Sequence, residues 1–283
     1  MILVVGATGT NGREVVKQLS ARGVPVRALV RSAEKSPDLR LPNVELVRGD
    51  LGDPPSLDAA LRGVQKAFIV TAVDQRCVEW FRNFFEAAKR AGGPHVVKFS
   101  GMGAGSADTP VMNQHGETDE MLQRSGLPYT VLRPNSFHQN LLWSAGSIKG
   151  QGAFYLPLGD ARQSLVDVRD LALVAAEALT GAGHEGQVYE LTGPESLSYH
   201  DVAATLSKVL GKPVRYVPVS LEAAKESMLK AGMPEWNAAA VTDLYRAFAT
   251  GAYARTTDTI ARLTGRPPRS FEQFARDHAD AFR

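Results

Sequence analysis

The chain begins with an arrangement that few folds can accommodate. Met1-Ile2-Leu3-Val4-Val5 is an apolar run too short for a helix, and Gly6-Ala7-Thr8-Gly9-Thr10-Asn11-Gly12 follows with a glycine at every third position. Arg13-Glu14-Val15-Val16-Lys17-Gln18-Leu19 then places apolar residues at helical spacing. The pattern encodes strand, tight turn and helix in immediate succession. Gly6 permits the sharp turn off the strand, Gly9 lets a pyrophosphate approach the backbone, and Gly12 lets the helix pack close to the sheet. The phosphates of a dinucleotide then meet free N–H groups at the positive end of the helix. Thr8, Thr10 and Asn11, set between the glycines, join them as candidate cofactor contacts.

A three-glycine pattern alone is also met in ordinary turns, so its context decides. A second strand, Val24-Pro25-Val26-Arg27-Ala28-Leu29-Val30, follows and delivers Arg31, 19 residues after Gly12. That is about where such a unit reads the adenosine ribose, and an acidic residue there selects NAD. Here the residue is a cation, with Ser32 and Lys35 close behind. A guanidinium fork, a hydroxyl and an ammonium suit the 2′-phosphate of NADP, so NADPH is the expected cofactor and NAD the less favoured one. The alternative is a solvated basic turn.

Six strand candidates, at 2–6, 25–30, 44–48, 66–71, 95–100 and 129–133, alternate with helical segments starting near 10, 55, 76 and 111. This alternation predicts an α/β chain with a doubly wound, Rossmann-type parallel sheet. Right-handed crossovers put the nucleotide at the carboxyl ends of the strands, so each end is a place to look for chemistry. The third strand ends at Asp50 and Leu51, which offer an acceptor for the adenine amino group and an apolar surface for its ring. The other reading of Asp50 is a helix cap before Pro54-Pro55. The fourth strand ends at Thr71 and Ala72, small residues where a cofactor must pass, and the fifth at Ser100, near the nicotinamide or the substrate. Ser100 read structurally caps its own turn.

The helix near 76–91 carries Val78, Phe81, Phe85 and Ala88 on one stripe, with Trp80 and Phe84 beside it. Such a stripe is ordinarily core, and its breadth also suits the interface of a homodimer. After Pro134 the alternation breaks, which divides the chain into a nucleotide-binding domain over 1–134 and a smaller, mostly helical substrate lobe over 135–283, partly interleaved with the sheet. Ser198 to Val209 reads as an amphipathic helix opened by a serine cap.

With 44% hydrophobic and 22% charged residues and a net charge of +2, the composition is that of an ordinary globular protein. It gives no electrostatic case for nucleic acid or a membrane surface. No apolar stretch approaches the length of a membrane span, and the first strand leaves no room for a signal peptide, so a cytoplasmic location is expected. The one cysteine, Cys77, and six histidines without a His-x-x-x-His pair supply no metal-ligand pattern.

Gly6-Ala7-Thr8-Gly9-x-x-Gly12, Val30-Arg31-Ser32, Gly49-Asp50 and Pro128-Tyr129-Thr130-Val131-Leu132-Arg133-Pro134-Asn135 together resemble the NmrA-like branch of atypical short-chain dehydrogenases/reductases. The likeness runs on to Leu263-Thr264-Gly265-Arg266-Pro267-Pro268. It implies either an NADPH-dependent reductase of quinones and dyes or a regulator that binds NADP without turning it over. Ordinary reductases of this superfamily carry Tyr-x-x-x-Lys on the helix after strand five, where the tyrosine protonates an alkoxide. This chain has no such pair. His115 stands for the tyrosine and Asp119 for the lysine, close to a His-x-Glu-x-Glu form of NmrA-like members. An acidic residue there raises a neighbouring acid's pKa instead of lowering it.

His115 shares a helical stripe with Val111, Thr118 and Leu122, and reads equally as a half-buried packing residue or as a group that donates a proton or orients a carbonyl. Asn135 is the other catalytic candidate, placed to bond the carboxamide or the substrate, unless it only ends the Pro134 turn. Phe137 and His138 are expected to line the mouth of the substrate pocket. Hydride transfer to a plain ketone gives a basic alkoxide that needs a strong acid, whereas a quinone gives a phenolate-like anion and a cationic dye becomes neutral. The missing tyrosine therefore points to a conjugated electrophile as the small-molecule substrate. An NADP(H)-sensing regulator is the alternative from a different class, and an epimerase a third.

Overall fold

The computed structural model describes residues 1–105 and 109–283. Strands β1 (Ile2–Val5), β2 (Val26–Val30), β3 (Val44–Arg48), β4 (Lys66–Ile69), β5 (His95–Phe99) and β6 (Tyr129–Pro134) alternate with helices α1 (Thr10–Ala21), α2 (Pro54–Ala60), α3 (Cys77–Arg90) and α4 (Pro110–Gln123). The predicted strands recur with ends moved by one or two residues. Gly6 and Ser100 fall just outside β1 and β5, because the chain turns there to leave the sheet.

The chain continues through α5 (Ala145–Gln151), β7 (Ala153–Leu156), β8 (Arg162–Gln163), α6 (Val168–Thr180) and β9 (Gln187–Leu191). It ends with β10 (Leu197–Ser198), α7 (Tyr199–Leu210), β11 (Arg215–Pro218), α8 (Leu221–Lys230), α9 (Glu235–Phe248), α10 (Thr259–Thr264), α11 (Phe271–Asp277) and α12 (Ala279–Phe282). Two compact units result. Among the described residues the first holds 1–105, Met112–Pro134 and Leu171–Glu190, and the second holds 109–111, Asn135–Asp170 and Leu191–Arg283.

The first unit is built on a seven-stranded sheet of order β3-β2-β1-β4-β5-β6-β9. The pairs from β3 across to β6 are parallel. Gly186 N–H bonds Tyr129 O at the start of β6 and Asn135 N–H bonds Leu191 O at its end, so β9 runs the same way. The order reverses between β1 and β4, and a doubly wound sheet holds its ligand outside the strand ends at that point. The α3 stripe goes into the core: Phe81, Phe84, Phe85, Ala87 and Ala88 are fully buried with Leu3, Leu57, Ile69, Val96 and Val131. Each phenylalanine contributes roughly 2 to 3 kcal/mol by that burial. Val78 of the stripe and Trp80 beside it stay half-buried.

The second unit has its own core of Phe154, Tyr199, Leu206, Tyr216, Phe271, Phe274 and Phe282. Helix α7 starts as its sequence requires, because Ser198 accepts from Asp201 N–H while Asp201 reaches back to Ser198 N–H. This reciprocal cap satisfies two otherwise orphaned donors.

Candidate functional site

The glycine turn is shaped by contacts that exclude any side chain at two of its three glycines. Gly6 has φ +79°, and a Cβ there would lie 2.3 Å from Val70 O. A Cβ on Gly12 would lie 2.1 Å from Gly6 O, which lets α1 seat on the turn. Gly9 differs, because its Cβ would meet only Gly6 O at 3.4 Å, an ordinary contact. The fold does not need glycine at that position, whereas a phosphate that approaches the backbone does. Helix α1 starts at Gly9 with no side-chain cap and no acidic residue in its first turn. Its leading N–H groups therefore face outward beside the exposed Thr8 and Thr10, which is the donor set a diphosphate requires. Asn11 Oδ1 is buried there without a hydrogen-bond partner among the described residues. These residues fit a dinucleotide.

The segment after β2 presents Arg31 and Lys35 as exposed side chains. Ser32 is less free than its sequence position suggested, since its hydroxyl donates to Glu34 Oε2 at 2.7 Å. Arg13 Nε lies 2.7 Å from Asp38 Oδ2, and Arg13 also donates to Thr8 O, which ties this segment to the glycine turn. Asp50 is not a helix cap, because Asp53 occupies that place in α2. It forms a local turn instead by accepting Gly52 N–H at 2.8 Å, and its carboxylate stays exposed. Leu51 is half-buried, and its carbonyl accepts from Asn83. Thr71 Oγ1 lies 3.3 Å from Cys77 Sγ, and Ala72 is exposed. Burial pushes the Cys77 thiol pKa up, so a reactive thiolate is disfavoured there.

At the end of β5 the structure reveals a network that local sequence patterns did not disclose. Asp119 in α4 accepts from Lys98 Nζ at 2.6 Å, from Ser100 Oγ at 3.0 Å and from Arg133 Nε at 2.9 Å. Lys98 and Asp119 are buried, and the ammonium also lies 4.7 Å from the centre of the Phe81 ring. Burial lowers the Lys98 pKa, against the pull of Asp119. The signal was present in the strand His95-Val96-Val97-Lys98-Phe99, where a charged residue in a central buried strand demands a counterion.

His115 lies against Gly101, with its Nδ1 buried and unpartnered among the described residues. Burial first, then Lys98, lowers its pKa to about 3, and the upward pull of Asp119 is outweighed. His115 is thus neutral at neutral pH. That removes the imidazolium proton donor from the expected roles and leaves a neutral ring able to orient a carbonyl.

In the second unit two expectations change. Asn135 donates through Nδ2 to Ser164 Oγ and to Tyr253 O, both at 2.8 Å, and its Oδ1 accepts Ser136 N–H. Both amide donors are consumed in joining three segments, which gives Asn135 an architectural role and leaves it nothing to donate to carboxamide or substrate. His138 is 1% exposed and packs on Phe271 and Phe274, each at a centroid distance of 5.4 Å. It is core, not the mouth of a pocket, and burial lowers its pKa to about 4. Phe137 stays partly exposed and pairs with Val166.

The NmrA-like family model matches residues 1–275. The NAD(P)H azoreductase of Xenophilus azovorans is 46% identical over 100% of this chain and 99% of its own. The (4-alkanoyl-5-oxo-2,5-dihydrofuran-3-yl)methyl phosphate reductase of Streptomyces griseus is 39% identical, over 100% and 99%. The crystal structure of an NADPH-dependent quinone oxidoreductase from Escherichia coli, complexed with NADPH, superposes with a TM-score of 0.89 at 30% identity and covers 99% of this chain and 100% of that one. No described helix is long and apolar enough to cross a membrane. Glycine turn, sheet order and near end-to-end similarity agree, and this chain belongs to the NmrA-like family.

Proposed function

We propose that this chain is an NADPH-dependent reductase that delivers hydride to a quinone, an azo or related dye, or a similar conjugated electrophile. NADPH, when bound, supplies the hydride. The uncapped start of α1 and Gly9 hold the diphosphate, Arg31 and Lys35 meet the 2′-phosphate, and Asp50 with Leu51 receives the adenine. Thr71, Ala72 and Ser100 line the path toward the nicotinamide. The lone thiol, Cys77, suits a reducing cytoplasm.

One observation carries the choice of substrate. Where a ketone reductase has a tyrosine made acidic by a lysine, this helix has a neutral His115 and an Asp119 bound by Lys98, Ser100 and Arg133. Among the described residues this helix offers no tyrosine, made acidic by a lysine, to quench a strongly basic alkoxide. Acceptors whose reduced form tolerates negative charge, or loses positive charge, avoid that need. The relatives act, by name, on an azo compound, a conjugated furanone and a quinone, which supports the same class.

The test is oxidation of NADPH, followed by its near-ultraviolet absorbance, with a panel of quinones, azo dyes and cationic dyes, with a plain ketone as control and NADH in parallel. Turnover on the conjugated acceptors and none on the ketone is expected. Tight NADPH binding without turnover on any acceptor would overturn the reductase and favour the sensing role.

A further inference from the structure

A serine hydroxyl has one proton to give and two lone pairs to receive. Ser100 gives its proton to Asp119 Oδ2 at 3.0 Å. That carboxylate is itself held by Lys98 at 2.6 Å and by Arg133 at 2.9 Å, so beside two cationic groups it acts only as an acceptor. What Ser100 has left is its lone pairs.

We propose that Ser100 presents its oxygen as the acceptor for the carboxamide N–H of a bound nicotinamide, with Lys98, Asp119 and Arg133 as the positioning residues that hold the hydroxyl in this orientation. The inference rests on the dinucleotide reading above. Ser100 directly follows β5, two strands along from β1 and its glycine turn in the order β1-β4-β5. A dinucleotide anchored by its diphosphate at the β1 turn extends its second nucleoside across the strand ends in this direction. Three side chains, from β5, α4 and β6, converge to orient one hydroxyl, and water is kept from most of them. Shielding of that kind strengthens each bond and penalises the alternative orientation.

The same commitment has a consequence for the acceptor. A serine whose proton is engaged cannot donate to an oxygen on which negative charge develops. Ser100 therefore selects for cofactor placement and adds nothing to alkoxide stabilisation, which narrows the substrates further toward those that need no donor at this strand end.

The test compares equilibrium binding of NADP+ with that of its 3-acetylpyridine analogue, in which a methyl ketone replaces the carboxamide. The analogue keeps the carbonyl and loses the N–H donors. Wild-type protein should prefer NADP+ by about tenfold, the worth of one hydrogen bond in a shielded site. Ser100→Ala should lose the preference by weakening NADP+ alone, and Ser100→Thr, which keeps the hydroxyl, should retain it. Asp119→Asn, whose amide donates to Ser100 Oγ and turns its proton outward, should lose it as well. Should that variant fail to fold, the two Ser100 variants carry the test. Equal binding of the two nucleotides by wild type, or a preference that survives Ser100→Ala, would overturn the inference. Failure of wild type to bind NADP+ at all is a separate result, which overturns the dinucleotide reading and this one with it.

Discussion

Lys98 Nζ lies 2.6 Å from Asp119 Oδ1, and both side chains are out of water. Burial of either charge alone is costly, so each requires the other. The requirement is not symmetric. Asp119 keeps Arg133 and Ser100 when Lys98 is removed, whereas among the described residues Lys98 keeps no carboxylate when Asp119 is removed. Asp119→Ala should therefore lower unfolding free energy by about 3 to 5 kcal/mol, and Lys98→Met by clearly less. Urea unfolding midpoints compare the two, and an equal loss would refute the asymmetry.

The glycine turn makes a second prediction in which stability and binding part company. Gly6→Ala and Gly12→Ala each place a Cβ within 2.3 Å of backbone oxygen, so both should destabilise the fold. Gly9→Ala has room and should melt close to wild type. It should nonetheless weaken NADPH by about tenfold or more, because the methyl group occupies the approach to the diphosphate. Thermal melts with and without NADPH separate the effects.

That contrast also explains what was legible in the sequence. Gly6 and Gly12 answer to steric rules that act within a few residues, and strand ends such as Arg31, Asp50 and Ser100 follow from alternation alone. The Lys98–Asp119–Arg133 network joins β5, α4 and β6, and no local period announces which side chain of one element meets which of another. Asn135 and His138 were read from their closeness to the end of β6. Asn135 turned out to be fixed by Ser164 and Tyr253, and His138 by Phe271 and Phe274, partners far along the chain that only the folded second unit brings to them.

Cofactor choice should depend on Arg31 more than on Ser32. The Ser32 hydroxyl is already engaged by Glu34, whereas Arg31 is exposed and able to clamp a phosphate. Arg31→Asp should weaken NADPH by roughly tenfold to a hundredfold, the range of a charge-assisted hydrogen bond, and leave NADH nearly unchanged. Ser32→Ala should change either by less than about threefold. Calorimetric titration of both nucleotides checks this, and equal losses for NADPH and NADH in Arg31→Asp would remove that residue from the 2′-phosphate.

His115 and His138 make the fold sensitive to acid. Burial lowers their pKa values to about 3 and about 4, whereas in the unfolded chain each titrates near 6.5. Above that value both states are neutral and stability is fully present. As pH falls below it, the unfolded chain takes up protons that the folded chain refuses, so stability drops by about 1.4 kcal/mol per pH unit for each histidine. The loss continues down to the folded values and there levels off. Among the described residues neither ring nitrogen of His138 has a well-formed hydrogen-bond partner, and the ring sits against Phe271 and Phe274, so His138→Phe keeps its aromatic packing and removes its titration. Melting temperatures between pH 7 and pH 4 should fall in wild type and fall less steeply in the variant, in which His115, His95 and carboxylates such as Asp167 still titrate. Parallel curves would mean that His138 takes up its proton in the folded protein.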